Sequence, residues 1–241
     1  MFGKAAMDDA PLIFPVDRLD LKFEPKPWPF AAERRAEIDA FFAALQRDNP
    51  GIWNGRVLLM HRQRLDGGVF HGAYLETDYA SFAAWHRWGY PPAGAHDCFG
   101  AGAVLSRDGA FLLGVMSQGT LNAGQIYFPC GTPDTSDIAG GKVDLDYSVR
   151  REIEEETGLS PAEFAADPGW ITVVDGALIA QIKVFRASQT ADELRSRMMS
   201  HLARQTPPEL AGIRIVRGPD DADPQMRRFV RAFLADWWRK A

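Results

Sequence analysis

The acidic segment from Arg151 to Leu159 constrains this 241-residue chain more than any other stretch. If the segment is helical, Glu152, Glu155 and Glu156 stand at positions i, i+3 and i+4, so their carboxylates share one face. Like charges at this spacing destabilise an isolated helix, and Arg151, one turn before Glu155, can neutralise only part of the repulsion. The pattern therefore indicates either a solvated acidic face or a site for a hard divalent cation, which prefers carboxylate and water oxygens.

The whole pattern Arg-Glu-apolar-x-Glu-Glu-x-Gly-apolar favours the cation site, because it fixes both residue identities and their spacing. At these residues the chain resembles the Nudix hydrolases, whose box reads G-x5-E-x7-R-E-U-x-E-E-x-G-U, with U an aliphatic residue. The second half of the box matches at every position from Arg151 to Leu159. The first half fits best as Gly131-x5-Asp137 followed by thirteen residues instead of seven, a six-residue insertion with Asp in place of Glu. Asp144 and Asp146 are rivals for that acidic position.

The resemblance implies a divalent-metal-dependent hydrolase that cleaves a diphosphate linkage in a nucleoside diphosphate derivative, with Mg²⁺ or Mn²⁺ as cofactor. Carried over by position, Glu155 and Glu156 are expected to be metal ligands, and Glu152 is expected to be a ligand or the general base. Arg151 is expected to orient a ligating carboxylate from outside the coordination sphere. Such a metal would neutralise the phosphates and lower the pKa of its bound water.

Residues outside the helical half carry further expectations. Gly131 would let the backbone approach the helix and supply a carbonyl facing the metal, and Asp137 is the candidate for the upstream acid. Glu154 points away from the other carboxylates, so we expect it to be exposed. In several relatives the general base lies on a later loop, and Glu193 and Glu209 are the nearest candidates here.

The substrate is set by loops and extra domains outside the box, so the box itself does not identify it. The N-terminal extension and the lengthened loop look faintly like the subgroup that acts on UDP-sugars. ADP-ribose, dinucleotides, coenzyme A derivatives and damaged nucleotides remain open. The alternative function is a non-catalytic Nudix-fold regulator that binds a ligand. The complete helical half of the box favours the enzyme, and the sequence contains no basic segment typical of a DNA-binding regulator.

Composition and charge indicate which kinds of ligand and which cellular location to expect. The net charge of −5 argues against an extended nucleic-acid surface, although not against a small phosphorylated ligand held by a metal. Neither a signal-peptide pattern nor an apolar run of membrane-spanning length is present, so we expect a cytoplasmic protein without a membrane segment. Cys98 and Cys130 are expected to be reduced thiols. The family resemblance allows a homodimer, whereas the apolar helix faces can equally be buried within one chain.

Hydrophobic periodicity predicts an α/β protein in two parts. Residues 1–95 form a small α+β extension, and residues 96–241 form the Nudix domain, for which the resemblance implies an α/β/α sandwich with a mixed sheet. The extension is expected to have a loose start over residues 1–15 and one amphipathic helix over residues 30–47. The box helix is expected to begin near Leu145 or Asp146 and to end at Gly158.

Two weaker patterns have ordinary structural interpretations. The aromatic stripe of Tyr79, Phe82 and Trp85 is typical of a core-facing helix, with a substrate-contacting face as the less favoured interpretation. The pair Gly100-x-Gly102 begins a predicted strand instead of opening a helix, so it does not indicate a dinucleotide-binding fold. The five histidines show no spacing typical of metal ligands.

Overall fold

A computed structural model describes residues 10–118 and 120–240, and within these ranges the chain forms a mixed α/β fold with two sheets. The helices are α1 Pro29–Glu33, α2 Arg35–Asp48, α3 Tyr79–Arg87, α4 Leu145–Thr157, α5 Ala191–Leu202 and α6 Arg228–Lys240. The strands up to the box loop are β1 Leu12–Val16, β2 Arg18–Phe23, β3 Arg56–Asp66, β4 Val69–Asp78, β5 Asp97–Leu105, β6 Phe111–Met116, β7 Ile126–Tyr127 and β8 Cys130–Gly131. The remaining strands are β9 Ile138–Ala139, β10 Lys142–Val143, β11 Ala165–Ala166, β12 Trp170–Asp175, β13 Leu178–Arg186 and β14 Leu210–Val216.

The larger sheet has the order β1-β12-β13-β5-β6-β14, with β11, β7 and β8 attached at its sides. It is mixed, because β13 and β5 are parallel while the β5–β6 and β12–β13 pairs are antiparallel. Gly100 of β5 lies against Val149 of α4, whereas the preceding residue, Phe99, packs against Phe229 of α6 at 5.4 Å between ring centroids. Successive strand residues point to opposite faces, so α4 and α6 cover opposite faces of the sheet. The predicted α/β/α layering is confirmed.

The smaller sheet has the order β3-β4-β2-β10-β9 and lies between two hydrophobic clusters. Val57 and Leu59 of β3 join a cluster that contains Ile38 and Phe82 of the helices α2 and α3. The intervening Leu58 belongs instead to the main core, which also contains the larger sheet. Strand alternation therefore presents one face of this sheet to α2 and α3 and the other face to the main core.

The N-terminal segment is more ordered than predicted. Strand β1 pairs antiparallel with β12 over its whole length, from Leu12 opposite Val174 to Val16 opposite Trp170. The predicted loose start is therefore wrong for residues 12–15, and its first nine residues lie outside the described part of the chain. The register brings apolar residues of β1 onto the main core, which stabilises a strand too short to be recognised by periodicity.

The predicted single helix over residues 30–47 is divided into α1 and α2 at Arg34. Arg34 has φ −110° and ψ 21°, outside the helical region, and its backbone N–H donates to the carbonyl of Phe30. Its guanidinium lies 4.1 Å from the ring centroid of Trp88, which places the residue over an aromatic surface. The helix break at Arg34 is thus accompanied by a cation–π contact with Trp88, which hydrophobic periodicity does not reveal.

Strand pairing crosses residue 95 in both directions. Strand β1 belongs to the predicted extension but pairs with β12 of the predicted Nudix domain, and Lys142 of β10 pairs with Lys22 of β2. The main core likewise contains side chains from both segments, such as Phe70 and Val149. The division into residues 1–95 and 96–241 stays a prediction, and any such units share a sheet edge and a core.

None of the helices in the described ranges combines the length and apolar character needed to cross a bilayer. Both Cys98 and Cys130 are free thiols.

Candidate active site

Helix α4 carries the acidic segment, and local interactions define both of its ends. The Asp144 carboxylate accepts a hydrogen bond from the backbone N–H of Tyr147 at 3.0 Å, so the residue caps the helix N-terminus. Gly158 ends the helix at φ 67°, a left-handed conformation that glycine adopts without strain. Both ends match the sequence prediction. One rival for the upstream acid is thereby assigned to capping, and the other, Asp146, pairs with Arg150 at 2.6 Å.

Close approach between α4 and β5 positions the helix against the larger sheet. A Cβ built on Gly100 would lie 2.4 Å from Val149 Cγ2, and one built on Gly102 would lie 2.5 Å from Ile153 Cδ1. A larger residue at position 102 would displace the side chains of Ile153 and Val149, and one at position 100 would also crowd the backbone oxygen of Leu145. The Gly100-x-Gly102 pair therefore lets the helix that carries the carboxylates lie directly on the strand.

The three carboxylates of the box occupy different environments along one side of α4. Glu156 is buried, Glu152 is largely buried, and Glu155 is exposed. Burial, together with the charges of Glu155 and Glu209, raises the pKa of Glu152 to about 7, against the lowering effect of Arg151. Burial and the neighbouring charge of Glu152 raise the pKa of Glu156 well above its usual range. A cation placed here would relieve this repulsion. Glu154 is exposed, as predicted.

Arg151 contacts three carboxylates at once. Its Nη1 lies 2.9 Å from Glu152 Oε1 and 3.2 Å from Glu155 Oε2, and its Nη2 lies 3.3 Å from Asp137 Oδ1. The exposed contact with Glu155 is worth little in stability, whereas the contact with the buried Asp137 compensates a charge removed from water. Arg151 therefore holds two box carboxylates in place and is itself held by the loop.

Asp137 lies in the loop but faces Arg151 and its own turn. Its carboxylate is buried, and it accepts a hydrogen bond from the backbone N–H of Asp134 at 3.0 Å. The six-residue insertion follows immediately as the hairpin of β9 and β10, with the turn at Gly140 and Gly141. The hairpin leaves Asp137 within reach of Arg151 in spite of the longer loop. In this structure Asp137 therefore holds the Arg151 guanidinium in position.

Gly131 lies in β8, paired with Gly100 of β5, directly beside the first carboxylate of the box. A Cβ built on Gly131 would lie 2.6 Å from Glu152 Oε1 and 2.9 Å from Glu152 Cδ. The absence of a side chain at this position provides the space that the carboxylate occupies. The predicted close approach of the backbone to the helix is therefore present.

Glu209 joins the box carboxylates from a distant part of the chain, immediately before β14. The crowding of protein around it and the charge of Glu155 raise its pKa, and its own charge raises the pKa of Glu152 and Glu156. The other predicted candidate, Glu193, instead closes a capping box with Thr190 at the start of α5. Pairing of β14 with β6 brings Glu209 to the site, and no sequence spacing signals that pairing.

A cavity of about 500 Å³ opens beside β8 and is lined by aromatic residues as well as by the box loop. Its lining includes Trp53, Tyr79, Phe82, Leu121, Gly131 and Glu209. Two members of the predicted aromatic stripe thus face a cavity, although Phe82 is largely buried. Burial raises the pKa of Asp97, which also lines this cavity, to about 6. A second cavity of about 1330 Å³ shares His86, Tyr90 and Arg227 with the first, and Trp85 lines it.

The residues present fit a divalent cation by their chemistry. Besides burial, the charges of Glu155 and Glu209 raise the pKa of Glu152 and of Glu156, and the missing Cβ of Gly131 leaves room for the Glu152 carboxylate. Within residues 10–118 and 120–240 no three His, Cys, Asp or Glu side chains are already arranged as a metal-binding group. The exposed Glu155 is turned onto Arg151, so rotation of this side chain would be needed to complete a coordination sphere.

No family model and no curated protein matches the sequence. Among solved structures, the chain is similar to the Nudix hydrolase RenU from M. smegmatis, with 14% identity, a TM-score of 0.38, and coverage of 60% of this chain and 84% of that one. It is also similar to a putative Nudix hydrolase family member from Chromobacterium violaceum, with 18% identity, a TM-score of 0.39, and coverage of 60% and 78%.

A third similar structure is a bifunctional NMN adenylyltransferase/ADP ribose pyrophosphatase from Francisella tularensis, with 12% identity and a TM-score of 0.42. The alignment covers 66% of this chain and 46% of that one. Likeness at these TM-scores carries no argument about activity, which has to come from the residues of the site. The chain is nevertheless similar to the Nudix hydrolases both in its box motif and among solved structures.

Proposed function

We propose that this protein is a divalent-metal-dependent hydrolase that cleaves a diphosphate linkage in a nucleoside diphosphate derivative. The observation that carries the proposal is the group of acidic side chains beside β8, of which Glu209 lines the cavity. Besides burial, the charge of Glu209 raises the pKa of both Glu152 and Glu156 of the box helix, and Gly131 leaves room for the Glu152 carboxylate. Such repulsion is a cost to the folded protein unless a cation or a proton compensates it.

Glu152, Glu155 and Glu156 would hold Mg²⁺ or Mn²⁺, with Glu209 as a further oxygen donor from outside the box. When bound, the cation supplies neutralisation of the diphosphate charge and acidification of a bound water. The low exposure of Glu156 supports a role as an inner ligand, because a buried carboxylate without a compensating charge is strongly disfavoured.

Arg151 and Asp137 would fix the geometry of the reaction, and Glu152 and Glu209 are the candidates for the base. Arg151 holds the carboxylates of Glu152 and Glu155 in position through contacts of 2.9 and 3.2 Å, and the buried Asp137 holds the arginine. Positioning of this kind is a main source of catalysis in phosphoryl-type transfer. Glu152 would serve as a ligand or as the base that takes a proton from the attacking water, and Glu209 is the second candidate for the base.

The cavities support a substrate larger than a nucleotide. A volume of about 500 Å³ beside the box loop falls within the range of small-molecule sites, and the larger cavity shares His86, Tyr90 and Arg227 with it. We infer that the diphosphate lies near Gly131 and that the two groups it joins extend into this space. A nucleotide sugar or ADP-ribose would satisfy that description.

The proposal is tested with purified protein incubated with UDP-sugars, ADP-ribose, dinucleotides and coenzyme A in Mg²⁺ or Mn²⁺, with products separated by chromatography. We expect cleavage of at least one compound at its diphosphate and no cleavage in EDTA. Tight, saturable binding of one compound without cleavage of any would overturn the proposal in favour of the ligand-binding regulator.

The ligand assignment is tested by Glu156→Gln, which keeps the side-chain volume but removes the charge. We expect kcat to fall by at least roughly 100-fold, the upper end of the loss seen when an outer partner of a metal site is removed. Glu154→Gln is the matched control, since Glu154 lies on the same helix and is exposed. Turnover by Glu156→Gln with unchanged metal dependence would contradict the assignment.

A further inference from the structure

Trp53 is exposed in a way that the protein's other tryptophans are not. Its relative exposure is 81%, whereas Trp28, Trp85 and Trp170 are exposed by 9% or less. Trp88, Trp237 and Trp238 are each partly buried against a hydrophobic cluster. Leaving an indole in water forgoes a large hydrophobic gain, and Trp53 is the most exposed of the large apolar side chains that the structure describes.

The loop that carries Trp53 is anchored on both sides. Before it, the backbone N–H of Ile52 donates to the carbonyl of Asn49 at 3.1 Å. After it, the Asn54 side chain accepts from the backbone N–H of Ala80 at 2.8 Å, and the carbonyl of Gly55 accepts from the backbone N–H of Tyr79 at 2.8 Å. These bonds tie the loop to the start of α3. The indole is therefore presented by a held loop.

The ring of Trp53 lies over the backbone of Gly55. A Cβ built on Gly55 would lie 2.9 Å from Cζ3 of the indole, so a side chain at position 55 would displace the ring. The six-membered ring of the indole thus lies close to the main chain at Gly55, while the high exposure leaves most of the side chain open to solvent. A flat aromatic surface supported on one side is suited to stacking against a second flat ring.

Trp53 also lines the cavity that reaches the box. Tyr79, Phe82 and Leu121 add aromatic and apolar surface to the same cavity, and Gly131 and Glu209 belong to its lining as well. Because Tyr79 and Glu209 line the same cavity, its aromatic and acidic parts lie within one site. Asp97, Asn122 and Thr132 contribute hydrogen-bonding groups to the lining.

We propose that this cavity binds the nucleobase of the substrate and that Trp53 stacks on the base. The inference rests on the proposed function, because the acidic end would hold the diphosphate while the aromatic end holds the ring. A planar heterocycle is the ligand chemistry that uses both features, since its faces stack on the aromatic side chains and its edges reach the polar groups. A planar heterocycle offers the indole a flat aromatic face, whereas a sugar ring offers only C–H groups, and ribose 5-phosphate distinguishes the two.

The test is a titration in EDTA of ¹⁵N-labelled protein, monitored at the indole N–H resonances. The probes are uridine 5′-monophosphate, adenosine 5′-monophosphate and ribose 5-phosphate, which lacks a base. We expect at least one nucleotide to shift the Trp53 indole resonance, assigned from its loss in Trp53→Phe, and ribose 5-phosphate to leave it unshifted. We also expect Trp53→Ala to weaken nucleotide binding by roughly 5- to 150-fold, the range for base–aromatic stacking, and Trp53→Phe to retain most of the affinity.

Leu65→Ala is the control, since Leu65 is also an exposed apolar residue and lines neither cavity. Equal shifts from ribose 5-phosphate and the nucleotides, shifts confined to other indoles, or unchanged affinity in Trp53→Ala would each overturn the base-stacking site. Because EDTA removes the divalent metal, the result does not depend on hydrolysis. Loss of cleavage with intact base binding would therefore count against the proposed reaction and not against this site.

Discussion

At the level of single residues, the site depends on groups whose importance comes from contacts with other residues. Arg151 matters because Asp137, Glu152 and Glu155 meet on its guanidinium. Gly131 matters because a carboxylate occupies the space that a side chain would fill. The box motif identified both residues, and their physical roles became clear only from the distances.

We predict that Gly131→Ala impairs the site without unfolding the protein. The new methyl group would meet the Glu152 carboxylate at 2.6 Å, and the flexible end of that side chain would have to move. Moving the Glu152 carboxylate away from this contact is expected to lower metal-dependent hydrolysis by roughly 10- to 100-fold. Steady-state kinetics and urea unfolding of the variant measure the two effects separately.

The matched control is Gly212→Ala in β14, where an added Cβ would meet no atom within 4 Å. We expect this variant to retain full activity. Equal activity of the two variants would show that Glu152 does not need the space beside Gly131.

At the level of elements, helix α4 is held where its carboxylates can act by two glycines of the strand beneath it. Alanine at position 100 would place its methyl 2.4 Å from Val149 Cγ2 and 3.2 Å from the backbone oxygen of Leu145. Side-chain rotation can relieve only the first contact. The second requires the helix and the strand to separate.

We predict that Gly100→Ala destabilises the fold by about 1–3 kcal/mol, the usual cost of overpacking a core. Urea unfolding gives the free energy, and hydrolysis measured on the same samples reports whether the helix has moved. The double variant Gly100→Ala/Val149→Ala removes one of the two clashing groups, so its cost should be smaller than the sum of the single costs. Strict additivity would show that the glycine does not contact the helix in this way.

The predictability of the elements follows from the range of the interactions that form them. Helix α4 could be bounded from the sequence because its cap at Asp144 and its end at Gly158 are local. The position of Glu209 could not be predicted, since it depends on the pairing of β14 with β6. The two-residue strands β9 and β10 also lie below the length at which alternation is recognisable.

At the level of the whole molecule, the segments before and after residue 96 contribute strands to the same two sheets and side chains to the same core. Strand β1 forms an edge of the larger sheet, and Lys142 of the box insertion pairs with Lys22 in the smaller one. The main core takes Leu58, Phe70 and Tyr74 from the first segment. The box insertion therefore joins the loop of the site to the smaller sheet, through the pairing of β10 with β2.

We predict that residues 96–241 alone do not form a rigid native fold, because removing the first segment exposes buried apolar surface of the main core. Near-UV circular dichroism and binding of a hydrophobic dye test this. Co-expression of residues 1–95 and 96–241 as separate chains is the control, and it should restore the native signal because the contacts are non-covalent. A well-packed isolated 96–241 fragment would contradict the prediction.

The pairing of β1 with β12 also bears on how the chain is made. Leu12 pairs with Val174, so the N-terminal strand has no partner until most of the chain has been synthesised. At roughly 5–20 residues per second, synthesis of the residues between β1 and β12 takes on the order of ten to thirty seconds, during which β1 has no partner strand. Contacts so distant in sequence also slow folding, because a long loop must close before they form. The edge of the larger sheet that β1 forms is therefore completed only after β12 has been synthesised.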